Sequence, residues 1–484
     1  MFKRKNKGTQ EEDTPVHKVP IRQKMYFGLS IAGLTFIAST IDGAMLKYYT
    51  DFILFPPLLY GIVQLLFAIV NAINDPIIGY YSDRTKPVDG KGKRKRWLIS
   101  SLPLVGSGYV FMVFMNPYAP YELIFIILLV SFILYDTGYA MNMINRGALM
   151  LTVTDDDNER ASLVSINLVF QTILGIFSYL LILLFFVEGE NPYPFPIILT
   201  ILVIVGVIGV GVAFYGAKGI KEPTKLYEGE TSPDIRKLLK DVVSSKSFIF
   251  YILIQFVMGA VSGTVLTFQV FYFGDVLRVS GTEVMIVSAI TLPFTFFAYY
   301  LVQVVSKKFG PRITLMLFIT ISVSAFLGLL LSRIFIVAVI CYLIINMGNA
   351  AFWILSTPIF GYVIDEYELK TGSKPIGTFN GINAIFISPN KQIMTFLFTW
   401  ILSMTGYVGG TGIIQTEDAK IGIQIGVGLV PIILFGIGFL LLLFFPLRGE
   451  KLVEVKKEIK KIYDKRLGEI VSSELKLRAN NDDE

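Results

Sequence analysis

Uninterrupted apolar runs of about 20 residues or more recur along the whole chain, and runs of that length permit few folds. One such run, wound as a helix, crosses ~30 Å of hydrocarbon. In lipid every backbone polar group must be satisfied within the structure, so spans are helices or closed barrels. The ~10-residue alternating segments of a barrel are absent. The sequence therefore predicts an all-α membrane protein of twelve transmembrane helices. The spans fall at 26–50, 57–82, 97–116, 121–150, 161–187 and 195–217, then at 248–273, 282–306, 312–331, 334–362, 377–404 and 423–447.

This reading divides the chain into a polar N-tail (1–25), a six-helix bundle (26–217), a polar middle loop (218–247), a second six-helix bundle (248–447) and a charged tail (448–484). The tail spaces its apolar residues, Leu452, Val455, Ile459 and Ile462 among them, close to a helical period. Such a helix either lies on the inner leaflet or stands solvated. Charge sets the orientation. Of 43 Lys and Arg, only Arg278, Arg333 and Lys420 fall in loops on one side, and Lys47, Arg146 and Lys391 lie in or at the ends of spans. All the others sit on the opposite side, so the positive-inside rule puts both termini in the cytoplasm. The net charge of +6 is thereby a property of cytoplasmic loops and implies no nucleic-acid partner. One cysteine, Cys341, excludes an internal disulfide, and one histidine, His17 in the N-tail, excludes histidine chemistry within the membrane. The first 25 residues lack the apolar core of a cleavable signal peptide. A cell-membrane, multi-pass protein surrounded by lipid is expected.

The most informative stretch is Asn71 to Trp97, which begins N-A-I-N-D-P-I-I-G and ends K-R-K-R-W. Asp75 sits inside apolar sequence, and a carboxylate in a membrane helix marks a functional site by default. A loop dense in Lys and Arg follows, including Arg84, Arg94 and Arg96. The two halves also echo each other weakly. Gly79-Y-Y-S-Asp83-Arg84 after span two resembles the basic Ser306–Arg312 region after span eight, and the acidic ends of spans four and ten resemble each other.

These residues together resemble the glycoside–pentoside–hexuronide:cation symporters, the melibiose-carrier branch of the major facilitator superfamily. The likeness rests on N-A-I-N-D-P-I-I-G and its basic loop, on Lys47-Y-Y-T-Asp51 at the end of span one, and on Phe352-Trp353-I-L with Val363-I-Asp365-E-Y-Glu368-L-Lys370 around span ten. It covers nearly the whole chain. It implies a major facilitator fold of two pseudo-symmetric halves, alternating access, and no enzymatic activity. It also implies a small-molecule substrate, a monomeric transporter, and no cofactor beyond Na⁺ or H⁺ as coupling ion.

The resemblance assigns residues too. Asp75 matches a span-two carboxylate that couples the cation, and Asn74 an amide beside it; Asn71 replaces a second carboxylate one turn earlier. A carboxylate ligates hard cations and can also carry a proton. The family's span-four threonine is Ala140 here, and its span-eleven lysine is Ser388, with Lys391 one turn later. Sugar-binding acids of spans one and four read Thr35 and Met143. Asp42 and Asp136 lie seven residues from these, about two helical turns away and both displaced outward, which suggests relocated acids for a longer or cationic substrate. The alternative is that each pairs with Lys47, Arg146 or a hydroxyl. Trp353 matches a tryptophan placed against a sugar ring, and Asn383 a polar cavity residue. Arg146 and Lys391 are candidate counter-charges for Asp75. Gly79, Asp83, Arg84, Arg94 and Arg96 match a gating loop. Two other functions fit less of the sequence: a lysolipid symporter or flippase of the same fold, and a prenyltransferase-like membrane enzyme using Asn74-Asp75 and Asp83.

Overall fold

The computed structural model describes residues 18–85, 92–154, 157–187, 193–222, 245–371, 379, 382–383, 386–459 and 461. Among these, twelve long helices follow one another: α1 (Ile21–Lys47), α2 (Pro57–Arg84), α3 (Lys93–Val113), α4 (Tyr121–Thr152), α5 (Asp157–Phe186), α6 (Phe195–Gly219), α7 (Lys246–Phe271), α8 (Gly281–Phe309), α9 (Pro311–Leu331), α10 (Phe335–Thr371), α11 (Asn390–Met404) and α12 (Glu417–Leu443). No strand occurs among the described residues. All but α11 are long and apolar enough to cross a membrane. The residues just ahead of α11 are only partly described, and its 15 residues are the described part of the span expected at 377–404.

Prolines and caps set the helix starts. Pro20, Pro56, Pro120 and Pro194 stand immediately before α1, α2, α4 and α6, where a fixed φ and a missing N–H cost least. Ser280 opens α8 with a capping box: its hydroxyl accepts from Glu283 N at 3.3 Å, and Glu283 accepts from Ser280 N at 2.8 Å. The helix surfaces facing away from the bundles are apolar. Leu168, Val169 and Ile173 on α5 are exposed, as are Ile286, Ile290 and Phe297 on α8, which suits hydrocarbon as the surrounding solvent.

Two ends differ from the sequence reading. α1 begins at Ile21, inside the expected N-tail. α10 runs on to Thr371, so Asp365, Glu366 and Glu368 belong to helix and not to a loop. The helix expected within the charged tail (448–484) is seen at 449–459 and packs on protein. Val455 and Ile459 are buried, Lys451 Nζ meets Glu366 Oε1 at 2.7 Å, and Lys456 Nζ donates to Tyr362 Oη at 3.1 Å. The α10 extension supplies that docking face. Most of the middle loop, the loop at 86–91 and the tail beyond 461 lie outside the described residues, as do the side chains of Asp83 and Arg84.

Two six-helix halves are evident in the packing. In the first, α1 packs on α5 and α6, and α4 on α2 and α3; in the second, α10 packs on α8 and α9, and α7 on α11 and α12. The halves meet through α2 with α11, α5 with α8, and α1 with α7. Their relation is visible in the backbone. α1 ends in a π-turn, Tyr48–Phe52, and α7 in another, Tyr272–Val276. Each is closed by a non-glycine residue of positive φ, Leu54 at 58° and Arg278 at 55°. Tyr48 Oη donates to Val113 O at the end of α3, and Tyr272 Oη to Ser332 O just past the end of α9. A strained backbone copied in both halves is stronger evidence of repetition than the loop echoes. Leucine and arginine rarely adopt positive φ without surrounding structure to hold them there.

The ends of the bundle are unlike. One carries the α2–α3 junction and its Lys and Arg, and is called the basic end; the other carries the π-turns. At the π-turn end the halves touch closely. A Cβ on Gly281 would sit 2.5 Å from Leu184 O of the other half, closer than packed atoms tolerate. Gly281→Leu is therefore expected to hold the halves apart at this end while leaving each half intact. The check is thiol labelling of a cysteine introduced at Thr50 in membranes, against the low background of buried Cys341. Labelling should rise several-fold; normal expression with unchanged labelling would contradict it.

Candidate functional site

Two polar assemblies cross the boundary between the halves. The first is at the π-turn end. Lys47 is fully buried. Its Nζ lies 2.7 Å from Asp51 Oδ2 on its own π-turn and 2.6 Å from Asp275 Oδ2 on the matching turn of the other half. Tyr407, in the α11–α12 connection, donates to Asp51 Oδ1 at 3.0 Å, and Lys47 Nζ donates to Tyr407 Oη at 3.3 Å. The ammonium also stands 4.9 Å from the centre of the Phe271 ring, a cation–π distance. The assembly seals this end. Asp275 and Tyr407 escape a reading of the sequence in isolated segments; the signal that reveals Asp275 is the repeat Y-Y-T-Asp51 and Y-F-G-Asp275.

The second assembly is deeper, where α2 passes between α4 and α11. Asp75 accepts from Ser388 Oγ, just ahead of α11, at 3.4 Å. One residue earlier, Asn74 Nδ2 donates to Asp136 Oδ2 at 3.2 Å and to Thr137 Oγ1 at 3.3 Å, both on α4. One turn before Asp75, Asn71 Nδ2 reaches Ser388 O at 3.5 Å. Residues 71, 74 and 75 share a helix face by spacing, so α2 presents them together. Pro76 follows within the helix and lacks an N–H, so the carbonyl of Ala72 loses its usual helical donor. Asp136 brings a second carboxylate from α4, and Thr137 beside it a hydroxyl, where the resemblance finds only Ala140.

Just toward the π-turn end lies a cavity of about 210 Å³ between α1, α2, α4, α7 and α11. Its polar lining includes Asp42, Gln64, Asp136, Thr267, Lys391 and Gln392. Tyr60, Phe67, Phe132, Tyr135 and Tyr139 supply aromatic walls, with Tyr135 and Tyr139 stacked at 5.9 Å. Asp42 and Asp136 therefore share one chamber. Asp42 forms an ion pair with Lys391 of the other half, and its backbone carbonyl accepts from Thr267. Lys391 faces Asp42 here and not Asp75.

The remaining expected residues lie elsewhere. Thr35 is half-buried on α1, two turns from Asp42 toward the basic end. Asn383 is half-buried, with an amide oxygen that has no partner among the described residues. Trp353 is 65 % exposed on α10, edge-on to Phe352 at 5.3 Å, on the same helix face as Asn346 and Asn349 by spacing. Met143 Sδ receives Arg146 Nη2 at 3.0 Å. At the basic end, Arg94 is buried and ties α3 to its neighbours, donating to Ser82 Oγ at 2.7 Å and to Asn145 Oδ1 at 3.3 Å. Glu222 caps α3 by accepting from Arg94 N and Lys95 N. Arg96 is exposed, and a Cβ on Gly79 would meet no atom within 4 Å. In this conformation, then, Arg94 braces the first half internally.

Paired six-helix halves, facing across a chamber and sealed at one end, define a secondary transporter of the major facilitator type. The chain belongs to the family described as MFS/sugar transport protein, whose sequence model matches residues 26–449. It is 24 % identical over 442 residues to "Uncharacterized symporter YjmB" of Bacillus subtilis (strain 168), covering 87 % of this chain and 92 % of that one. With "Uncharacterized symporter YnaJ" of the same organism it shares 23 % over 461 residues, 92 % and 96 % of the two chains. The fold matches a bacterial homologue of the human lysosomal transporter Spinster in an inward-facing, unoccupied conformation, with a TM-score of 0.62 at 16 % identity over 88 % of this chain and 98 % of that one. It also matches a mutant form of the nucleoside transporter NupG, with a TM-score of 0.61 at 13 % identity over 87 % and 99 % of the two chains. The protein is a multi-pass membrane transporter; the two relatives above are named as symporters, and others carry exporter names.

Removing Lys47 leaves Asp51 and Asp275 buried together without their cation. Breaking a buried pair in this way costs about 3–5 kcal/mol. Lys47→Met is expected to weaken the seal by an amount of this order, while Lys47→Met combined with Asp275→Leu recovers part of it. Thiol accessibility of a cysteine at Thr50 would report both, and equal accessibility in all three proteins would contradict the assignment.

Proposed function

We propose that this transporter couples entry of one cation, H⁺ or Na⁺, to symport of a small, sugar-like organic solute by alternating access. The observation that carries the reading is the contact of Asp75 with Ser388 across the two halves, with Asn74 joining the same point to Asp136. Two carboxylates lie there within a membrane-spanning bundle, and neither has a Lys or Arg at ion-pair distance among the described residues. Such groups call for a compensating charge. A cation binding there changes the energy of the contact between the halves, which is what coupling requires. The oxygen set of Asp75, Asn74, Asp136 and Thr137 suits a hard cation, and either acid can carry a proton instead. The symporter names of the two Bacillus subtilis relatives support this direction of coupling, against the exporter names of two other relatives.

The solute would occupy the chamber above the coupling site, where Asp136 is common to both. Its aromatic walls offer flat apolar faces to the C–H surfaces of a sugar, and Gln64, Gln392 and Asp42 offer hydrogen bonds. Trp353 and Asn383, with Thr35 and Met143, would meet the solute on its way toward the basic end. If that end is cytoplasmic, as its Lys and Arg content requires, the seal closes the outer side and the conformation described here is open inward.

In proteoliposomes, Asp75→Asn should abolish uptake against a gradient but retain exchange of solute across the membrane. Comparing an imposed pH gradient with an imposed Na⁺ gradient identifies the ion. Concentrative uptake at wild-type rates by the Asn variant would rule out Asp75 as the coupling group. Asp42→Asn with Asp136→Asn should weaken apparent solute affinity at least tenfold; unchanged affinity would remove both from the substrate site.

A further inference from the structure

The chamber carries a charge that its own walls leave unpaired. Two carboxylates and one ammonium line it: Asp42, Asp136 and Lys391. Asp42 and Lys391 form an ion pair with each other. Asp136 accepts from Asn74 Nδ2 at 3.2 Å, and no Lys or Arg stands at ion-pair distance from it among the described residues. The tyrosines and amides of the lining are neutral, so one net negative charge remains on the wall. A carboxylate so placed within a membrane bundle calls for a positive partner. Asp75 is not part of this lining; it faces Ser388.

The surroundings of Asp136 are aromatic. On α4, Phe132 lies four residues before it and Tyr139 three after, which puts all three on one helix face. Tyr60 and Phe67, seven residues apart on α2, present a second line of rings to the same chamber. Phe132 stacks on Phe67 at 5.4 Å and meets Tyr60 edge-on at 6.2 Å, and Tyr135 stacks on Tyr139 at 5.9 Å. Aromatic faces attract a cation, most strongly when it has shed its water. Two further lining atoms lack a hydrogen-bond partner among the described residues: Tyr135 Oη on α4, and Gln392 Oε1 on α11 of the other half. Their residues are only 8 % and 9 % exposed. An amide oxygen only accepts, so Gln392 requires a donor that the lining does not supply.

We infer that the transported solute carries an ammonium group, primary or quaternary, as well as its hydroxyls, with Asp136 as counter-ion and the rings of α2 and α4 as a cage. This names the class of solute for the symporter reading and rests on that reading. It divides the two acids of the centre: Asp75 stays with the coupling cation, and Asp136, which lines the chamber, turns to the solute. The hydroxyls of the solute meet Gln392 and Tyr135, one on each half. Every charge then has a partner: Asp42 with Lys391, Asp75 with the coupling ion and Asp136 with the ammonium. A neutral solute leaves the chamber one negative charge in excess, and an anionic solute makes that two.

The test uses purified full-length protein and pairs of compounds alike in shape but not in charge: glucosamine with glucose, 2-amino-1,3-propanediol with glycerol, and choline with 3,3-dimethyl-1-butanol. Thermal stability is measured with each. The same pairs are presented to proteoliposomes under a H⁺ or Na⁺ gradient, with the membrane potential clamped at zero and protein-free liposomes as the baseline. At least one amine should raise the melting temperature and be accumulated, with its neutral partner about tenfold weaker or inert. Asp136→Asn should abolish the response to the amine, whereas Asp75→Asn should keep the thermal response and lose accumulation. Tyr139→Phe should respond like wild type and Tyr139→Leu several-fold more weakly, a difference that reports the ring face and serves also where the Asp136 variant fails to fold. The ammonium site is excluded if neutral compounds match their amines, if neither class shifts the wild-type protein, or if Asp136→Asn and Tyr139→Leu both respond like wild type. Accumulation of a neutral compound alone would exclude it and leave the symporter reading standing. Accumulation of neither class under either gradient would count against the symporter reading itself.

Discussion

A lysine with no exposure to solvent holds the two halves of this protein together at one end. Lys47 would be prohibitively costly in that position without Asp51 and Asp275, and Asp275 belongs to the other half. Tyr407 completes the set from a third direction. The chemistry of the cluster is satisfied only when the halves are in contact, so its integrity and the closure of that end are the same event. Much else follows from this. The tight approach of Gly281 to the α5 backbone, the cross-half bond of Asp42 to Thr267 and the shape of the chamber below all depend on the halves being drawn together here. Asp275 is far from Lys47 and Asp51 in sequence but local in the bundle, and low dielectric makes the mutual dependence of the three charges strong.

Below the seal the polar groups are organised differently. Single amides and hydroxyls, not strong ion pairs, link the helices around Asp75. Asn74 spans from α2 to α4, and Ser388 reaches α2 from the start of α11. Contacts of this kind are worth little individually and are easily exchanged for contacts with an ion. A firm lock at one end and a labile cluster in the middle is a division suited to a machine that must reopen on every cycle. Arg94 performs a third task, tying α2, α3 and α4 together at the basic end.

The helical plan was legible in the sequence because its cause is local. A run of apolar residues in lipid must satisfy its own backbone, and proline and glycine mark its limits. Legibility declined where a residue's role depends on another helix. Asp75 is conspicuous by itself, but nothing near it names Ser388. Asp136 reads as an acid displaced by two turns, and its place beside Asn74 emerges only from the juxtaposition of α2 and α4. Trp353 carries a strong resemblance, yet it does not line the chamber, whose walls come from α1, α2, α4, α7 and α11. Asp365 and Glu368 read as a loop because they are charged, whereas the docked helix at 449–459 offers Glu366 a lysine partner and keeps that turn helical.

The repeated π-turns carry one more implication. The two turns place Asp51 and Asp275 at matching positions, each four residues beyond its partner position at Lys47 or Phe271. Lys47 has no twin: the other half offers an aromatic ring, against which the ammonium rests. A single cation near the pseudo-twofold axis therefore serves two symmetry-related acids, and a second lysine would meet it head-on. The ancestral likeness of the halves is broken at the point where they must fit together. An assembly of two identical first halves would bring two ammonium groups into a space with room for one, so this lock can be made only by halves that have diverged.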